Sequence, residues 1–94
     1  MINALLINLS DNVAVVTEQV QKGGRICYMY GTEERTVAAA ETIPVFHKTA
    51  LCDIEKGQEI YKYGCRIGIA TSDIRQGEHV HCHNVRSPDA RVDR

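Results

Sequence analysis

Three histidines alternate near the C-terminal end of the chain: His79, His81 and His83, followed directly by Asn84. If this segment is extended, the three side chains project from one face, at intervals of about 6.5–7 Å. A pair of imidazoles can bind a divalent ion or hydrogen-bond to a small polar ligand. We therefore predict that two of the three histidines face one ligand, either a substrate or a metal ion. The alternative is that these histidines form the partly buried rim of a strand.

A second group of polar residues lies where a loop meets an apolar segment. His47 and Lys48 stand at such a boundary, where rigid neighbours can hold a functional side chain. Lys48 could attract a carboxylate, although a solvated lysine beside a structural histidine gives the same pattern. Tyr63, followed by Gly64, is a candidate for shaping a groove, with packing around an exposed hydroxyl as the alternative.

The elements that position these residues are short and repetitive. The pattern aliphatic-x-x-Gly-x-x-aliphatic occurs three times, at residues 20–26, 54–60 and 74–80. Asp53 and Asp73 precede the last two copies. An Asp followed by a polar run and Gly predicts a capped single turn of helix, ended by glycine in the left-handed conformation. The chain then leaves as a strand, so each copy predicts a turn, a glycine and a strand.

Apolar runs separated by turn residues predict strands along the rest of the chain. No stretch sustains helical periodicity for ten residues or more. The predicted segments are residues 2–9, 13–16 (a strand or the start of a short helix), 26–30, 35–40 and 47–53, with a hairpin turn at 31–34. The sequence therefore predicts a mainly β domain with short helical turns over residues 1–86, and a flexible tail over residues 87–94.

Composition excludes several functional classes. The 94 residues carry 11 basic and 12 acidic side chains mixed along the chain, so we expect neither nucleic acid nor a membrane as partner. The longest aliphatic runs are far shorter than the roughly 20 residues that span a bilayer. Without a basic, apolar export signal the chain is expected in the cytoplasm, with its four cysteines reduced. A domain of this size builds a shallow groove or an interface site more readily than an enclosed pocket.

Three longer phrases carry a resemblance to a known family. They are HKTAL at residues 47–51, YGCRIGIA at 63–70 and GEHVHCHN at 77–84, and residues 11–15 add a matching opening. In this order and spacing they resemble the N-terminal SAF domain of the altronate and galactarate dehydratase family, over about residues 8–86. The chain differs from the usual family pattern at Phe46, where Gly is common, and at Cys82, where a small residue or Thr is common.

The resemblance implies a β-clip fold, related to type III antifreeze proteins, and a β-elimination of water from a 2,3-dihydroxy acid. In some relatives this domain is a separate small subunit, and a chain of 94 residues that begins at Met1 resembles that form. A large catalytic dehydratase subunit is then the expected partner, holding most ligands of a divalent ion, iron(II) or manganese(II). The small subunit would offer substrate-binding residues and would be inactive alone. The residues implied are His47, Lys48, Tyr63, His81, His83 and Asn84, with His81 and His83 as candidate metal ligands.

Three alternatives stay open at this point. The chain could be the small subunit of a sulfolactate sulfo-lyase, which expels sulfite by the same elimination chemistry. It could be a stand-alone module that binds a carbohydrate or a peptide. It could also be a structural subunit that orders an oligomer, including a homo-oligomer, in which case the histidines would contribute little to activity.

Overall fold

The computed structural model describes residues 1–87, so the predicted tail lies, apart from Ser87, outside the described residues. The described chain consists of strands joined by turns, with no helix, and the prediction of a mainly β fold is confirmed. No helix within residues 1–87 is long and apolar enough to cross a membrane. The strands are β1 (Ala4–Leu5), β2 (Val13–Val16), β3 (Arg25–Tyr30), β4 (Glu33–Ala38), β5 (Lys48–Ala50), β6 (Glu59–Lys62), β7 (Cys65–Ala70), β8 (His79–Val80) and β9 (Val85–Arg86).

The strands form three small antiparallel sheets. A four-stranded sheet has the order β1-β2-β5-β8, a hairpin pairs β3 with β4, and a three-stranded sheet has the order β6-β7-β9. Two clusters of buried aliphatic side chains hold the sheets together, one centred on Ile26 and Ile43 and the other on Ile60 and Ile74. Burial of these side chains provides the main driving force for folding.

The repeated Gly pattern forms β-turns in the folded chain. In the copy at residues 54–60, Gln58 N donates to Glu55 O at 2.9 Å, and Gly57 is left-handed with φ of 91°. Gly23 and Gly77 occupy the same position in the other two copies, with φ of 84° and 86°. A left-handed third residue is the mark of a type II turn. The predicted single turns of helix are therefore replaced by tighter turns, while the predicted glycine conformation and the strand that follows are confirmed.

A fourth copy of this turn carries Phe46 at the glycine position. His47 N donates to Pro44 O at 3.0 Å, and Phe46 has φ of +65°. The left-handed conformation costs a residue with a Cβ about 1–2 kcal/mol. The Phe46 ring is 72% exposed, so burial of the ring within this chain does not offset that strain.

The four turns divide most of the chain into two similar half-units, residues 20–50 and 54–80. Each half-unit runs through a turn, a hairpin, a second turn and a strand. An isolated antiparallel bridge closes each one, Val20 with Ile43 in the first and Ile54 with Ile74 in the second. The first hairpin is β3–β4 and the second is β6–β7.

The side-chain hydrogen bonds that cap the turns are shorter in the second half-unit than in the first. Asp53 accepts a hydrogen bond from Gln76 N at 2.8 Å, and Asp73 accepts one from Lys56 N at 2.9 Å. The prediction that these aspartates cap the repeated turns is confirmed, but each one caps the turn of the other. In the first half-unit the equivalent bond joins Lys22 N to the Thr42 hydroxyl at 3.3 Å.

The N-terminal segment differs from its prediction. The expected strand over residues 2–9 is reduced to Ala4–Leu5, and Leu5, Ile7 and Leu9 are exposed. An apolar run alone does not produce a strand where no second strand pairs with it. Residues 13–16, which the sequence left as strand or helix, form a fully buried strand. All four cysteines are free.

Candidate functional site

Antiparallel pairing of β5 with β8 brings His47 against His79. The register places Thr49 opposite His79 and Lys48 opposite Val80. His47 Nδ1 lies 2.8 Å from His79 Nε2, a hydrogen-bond distance in which the tautomers decide which nitrogen donates. The ring centroids are 5.0 Å apart and stacked. Two residues far apart in the sequence thus form one imidazole pair.

His81 completes a group of three imidazoles. Its ring stacks on His47 with centroids 4.2 Å apart and lies 5.5 Å from the His79 ring. One ring nitrogen from each of the three residues lies within 4.8 Å of the others. All three side chains are partly buried at the edge of the four-stranded sheet. We call His47, His79 and His81 the histidine cluster.

The segment that carries the alternating histidines is not extended, which corrects the prediction for residues 78–84. Strand β8 ends at Val80, and residues 81–84 form a turn. The buried Asn84 side chain holds this turn, since it accepts from His81 N at 2.9 Å and donates to His79 O at 2.8 Å. Asn84 N also donates to His81 O at 3.1 Å. The Asn84 amide is therefore engaged in positioning His79 and His81.

His83 borders the histidine cluster but is not a member of it, because the ring nitrogens that lie within 4.8 Å of one another belong to His47, His79 and His81. Its ring lies 5.1 Å from that of His79, in a tilted arrangement, and the side chain is exposed. The geometry thus groups His81 with His47 and His79 rather than with His83. The predicted roles of His81 and His83 toward a substrate stay predictions.

The environment favours the neutral forms of His79 and His81. Burial lowers the pKa of His79, and repulsion from His47, His83 and His81 lowers it further. The pKa of His81 is also lowered, by burial first and then by His47 and Lys48. Neutral imidazole is the form that binds metal ions and accepts hydrogen bonds.

A basic groove of about 420 Å³ opens on one side of the histidine cluster. Burial, followed by repulsion from Lys62, lowers the pKa of Lys48. Two ammonium groups sharing a groove favour an anion between them, since the anion relieves their repulsion. His81 belongs both to the cluster and to the groove wall. The residues lining the groove are Lys48, Lys62, Ile67, His81, Cys82, Val85, Arg86 and Ser87.

Tyr63 lies beside this groove at the tip of the second hairpin. It is 48% exposed and left-handed, with φ of +58°, and Gly64 after it has φ of +77°. Both backbone amides donate to the buried Asp11 carboxylate, Tyr63 N at 2.7 Å and Gly64 N at 2.8 Å. The Lys62 ammonium sits 4.9 Å from the centre of the Tyr63 ring. Asp11 therefore fixes the hairpin tip that carries Lys62.

The donor set of the histidine cluster fits a divalent transition metal, the kind of ion that the resemblance implies. Imidazole nitrogen is a common ligand of iron(II), zinc and similar ions. Three imidazole rings whose nitrogens lie within 4.8 Å of one another provide the donors. The residues present are therefore compatible with such an ion.

Comparisons with known proteins agree with this architecture. The family described as the altronate/galactarate dehydratase SAF domain matches residues 2–88. The chain is 40% identical over 81 residues to altronate dehydratase of Escherichia coli strain K12, and 38% identical to that of Bacillus subtilis strain 168. It is 37% identical over 75 residues to (2R)-sulfolactate sulfo-lyase subunit alpha of Chromohalobacter salexigens.

The chain belongs to the altronate/galactarate dehydratase SAF domain family, since the match spans nearly its whole length. The aligned region is 16% of the length of each altronate dehydratase but 80% of the sulfo-lyase subunit. The relatives named here are therefore lyases in which this domain is either a small part of a longer chain or most of a subunit.

Two residues that shape the site were not selected from the sequence. His79 belongs to the alternating run but is not among the predicted ligands, and Lys62 is not among the predicted site residues. Each one becomes significant through strand pairing, His79 through β5–β8 and Lys62 through the hairpin that Asp11 holds. Tyr63 and Asn84 were chosen, and the structure gives Asn84 a positioning contact within the site.

Proposed function

We propose that this chain is the small subunit of a sugar-acid hydro-lyase and that it presents the basic groove and the histidine cluster to the substrate within a complex. The single observation that carries the proposal is the groove, in which Lys48, Lys62 and Arg86 surround a space of about 420 Å³ beside His81. Such a concentration of positive charge suits a small carboxylic acid.

In this proposal each basic residue binds and orients the substrate and takes no part in making or breaking bonds. Lys48 and Lys62 hold the substrate carboxylate, while imidazoles of the cluster hydrogen-bond to its hydroxyls. Charged groups that hold the substrate in a fixed orientation increase the reaction rate, because less entropy is lost on reaching the transition state. Arg86, in β9, can bind an acidic group at the other end of an aldaric acid.

A large catalytic partner supplies the rest of the active site in this proposal. The groove is open, so another surface must exclude water from the reaction. When bound, a divalent ion supplies stabilisation of the negative charge that develops as the proton beside the carboxylate is removed. The chain is expected to be inactive alone.

A sulfo-lyase small subunit is the second candidate. The observation that favours it is coverage, because the aligned region makes up 80% of a sulfo-lyase subunit alpha from Chromohalobacter salexigens. Sulfolactate carries a sulfonate and a carboxylate, which suit the same groove. Choice of the leaving group would then rest with the partner.

The test begins with capture of the partner from the native host with this chain as bait. The complex is assayed with iron(II) or manganese(II) on aldonic and aldaric acids and on sulfolactate. Formation of a 2-keto-3-deoxy acid supports the hydro-lyase, and sulfite release supports the second candidate. A chain that binds acids alone, with no partner recovered, would replace both with a stand-alone binding module.

Lysine variants then test the groove itself. Lys48→Met and Lys62→Met each remove a charge-assisted bond of about 1.5–3 kcal/mol, so we expect KM to rise roughly 10-fold or more. Lys56→Met is the matched control, because Lys56 is an exposed lysine in a turn away from the groove. Equal KM values for all three variants would remove the groove from the substrate site.

A further inference from the structure

We propose that the histidine cluster is a divalent transition-metal site formed by this chain alone, with His47, His79 and His81 as its three protein ligands. The proposal goes beyond the proposed function, since it concerns metal binding without a partner and without turnover. It also differs from the pair His81 and His83 that the family resemblance implies.

The distances between donor atoms support three ligands. With metal–nitrogen bonds of about 2.1 Å, neighbouring ligands lie about 3.0–3.4 Å apart in octahedral or tetrahedral sites. His47 Nδ1 and His79 Nε2 are 2.8 Å apart, close to this range. The separations within the group do not exceed 4.8 Å. A separation of 4.8 Å would have to shorten by about 1.4 Å, from 4.8 to 3.4 Å, to reach this range.

The backbone around the cluster is held in place before any ion binds. The pairing of β5 with β8 sets the distance between His47 and His79. Asn84 fixes His81 N and His79 O, and the Glu41 carboxylate accepts from His79 N at 2.9 Å. Ligands on strand ends with fixed backbones lose little entropy on binding, which favours affinity.

The ligand chemistry selects the class of ion. Three imidazoles suit zinc, cobalt, nickel, copper or iron(II), whereas magnesium and calcium prefer oxygen ligands. Cys82 follows His81 directly and its thiol is exposed, so it is the competing soft ligand in this region. A Cys82→Ser variant separates its contribution.

The experiment uses the full chain, stripped of metal with a chelator and titrated with cobalt(II). We expect one visible ligand-field spectrum that saturates at one ion per chain and lacks thiolate-to-cobalt charge transfer. Zinc(II) should displace the cobalt. Isothermal titration with zinc(II) gives the dissociation constant. A spectrum dominated by thiolate absorption that disappears in Cys82→Ser would overturn the three-histidine assignment.

Substitutions identify the ligands. His47→Gln, His79→Gln and His81→Gln are each expected to weaken zinc binding at least 10-fold, and circular dichroism checks that each variant is folded. Should His79→Gln unfold, His47→Gln carries the test, because His47 lies outside the regular strands. His83→Gln is the deciding comparison and is expected to change affinity less than 3-fold. If His83→Gln weakens binding while His47→Gln does not, the proposed site is wrong.

Discussion

The two half-units, residues 20–50 and 54–80, share one plan but differ at one equivalent turn position. Phe46 and Gly77 each lie three residues after the second residue of the bridge in their half-unit, Ile43 or Ile74, and both are left-handed. Their hydrogen bonds correspond, since Phe46 N donates to Val16 O at 2.9 Å and Gly77 N donates to Ala50 O at 2.8 Å. The same backbone is thus built once with glycine and once with an aromatic residue.

Their surroundings explain why the two positions tolerate different residues. A Cβ on Gly77 would lie 2.1 Å from Ala38 O, so only glycine fits there. Phe46 is at the surface, next to His47, so the strain of its left-handed backbone is the only cost of a side chain there. Strained residues that a fold retains tend to lie at functional sites. The difference shows that packing fixes one turn and leaves the other free to carry a side chain beside the candidate site.

The largest expected effect comes from Gly77→Ala. The added methyl collides with backbone atoms that cannot rotate away, so we expect a loss of about 3 kcal/mol or more in the free energy of unfolding. Gly57→Ala is the matched control, because Gly57 is left-handed with nothing within 4 Å of an added Cβ. Its cost should be about 1 kcal/mol, from backbone strain alone. Urea denaturation measures both, and equal losses would contradict the packing explanation.

The next effect concerns Asp11, whose carboxylate holds the tip of the second hairpin. Asp11→Ala removes the carboxylate that accepts from Tyr63 N and Gly64 N, and leaves those amides without their charged partner. We expect a loss of about 2–3 kcal/mol in the free energy of unfolding. Asp11→Asn keeps one acceptor oxygen and should lose less. Hydrogen exchange at residues 61–66 should accelerate in Asp11→Ala. Unchanged exchange there would contradict the role of Asp11 in holding the hairpin tip.

Local signals predicted most of the fold. Glycine spacing located three turns and the strand after each, because a left-handed turn residue is encoded within seven residues. The fourth turn was missed, since Phe46 hides the pattern. The candidate site depends on contacts that local patterns do not encode. His47 meets His79 only through pairing of β5 with β8, and the Asn84 turn redirects the chain before His83.

A smaller effect separates the caps of the two half-units. Asp73→Ala removes a 2.9 Å charge-assisted bond to Lys56 N, and we expect a loss of about 1 kcal/mol. Thr42→Val removes the longer 3.3 Å bond to Lys22 N and should lose about 0.5 kcal/mol or less. Thermal unfolding of both variants gives the comparison. A larger loss for Thr42→Val would mean that the first half-unit depends on its cap more than the distances indicate.

A small expected effect of the opposite sign comes from Phe46→Gly. Glycine relieves about 1–2 kcal/mol of left-handed strain but increases the freedom of the unfolded chain, so a net gain of about 0.5–1 kcal/mol is expected. Phe46→Ala is the control, because it removes the ring and keeps the strain. If only Phe46→Gly is stabilised, the strain is real, and the ring itself contributes little to stability. Equal stability in all three proteins would instead mean that the surrounding hydrogen bonds hold this turn without cost, and the contrast with Gly77 would then rest on packing alone.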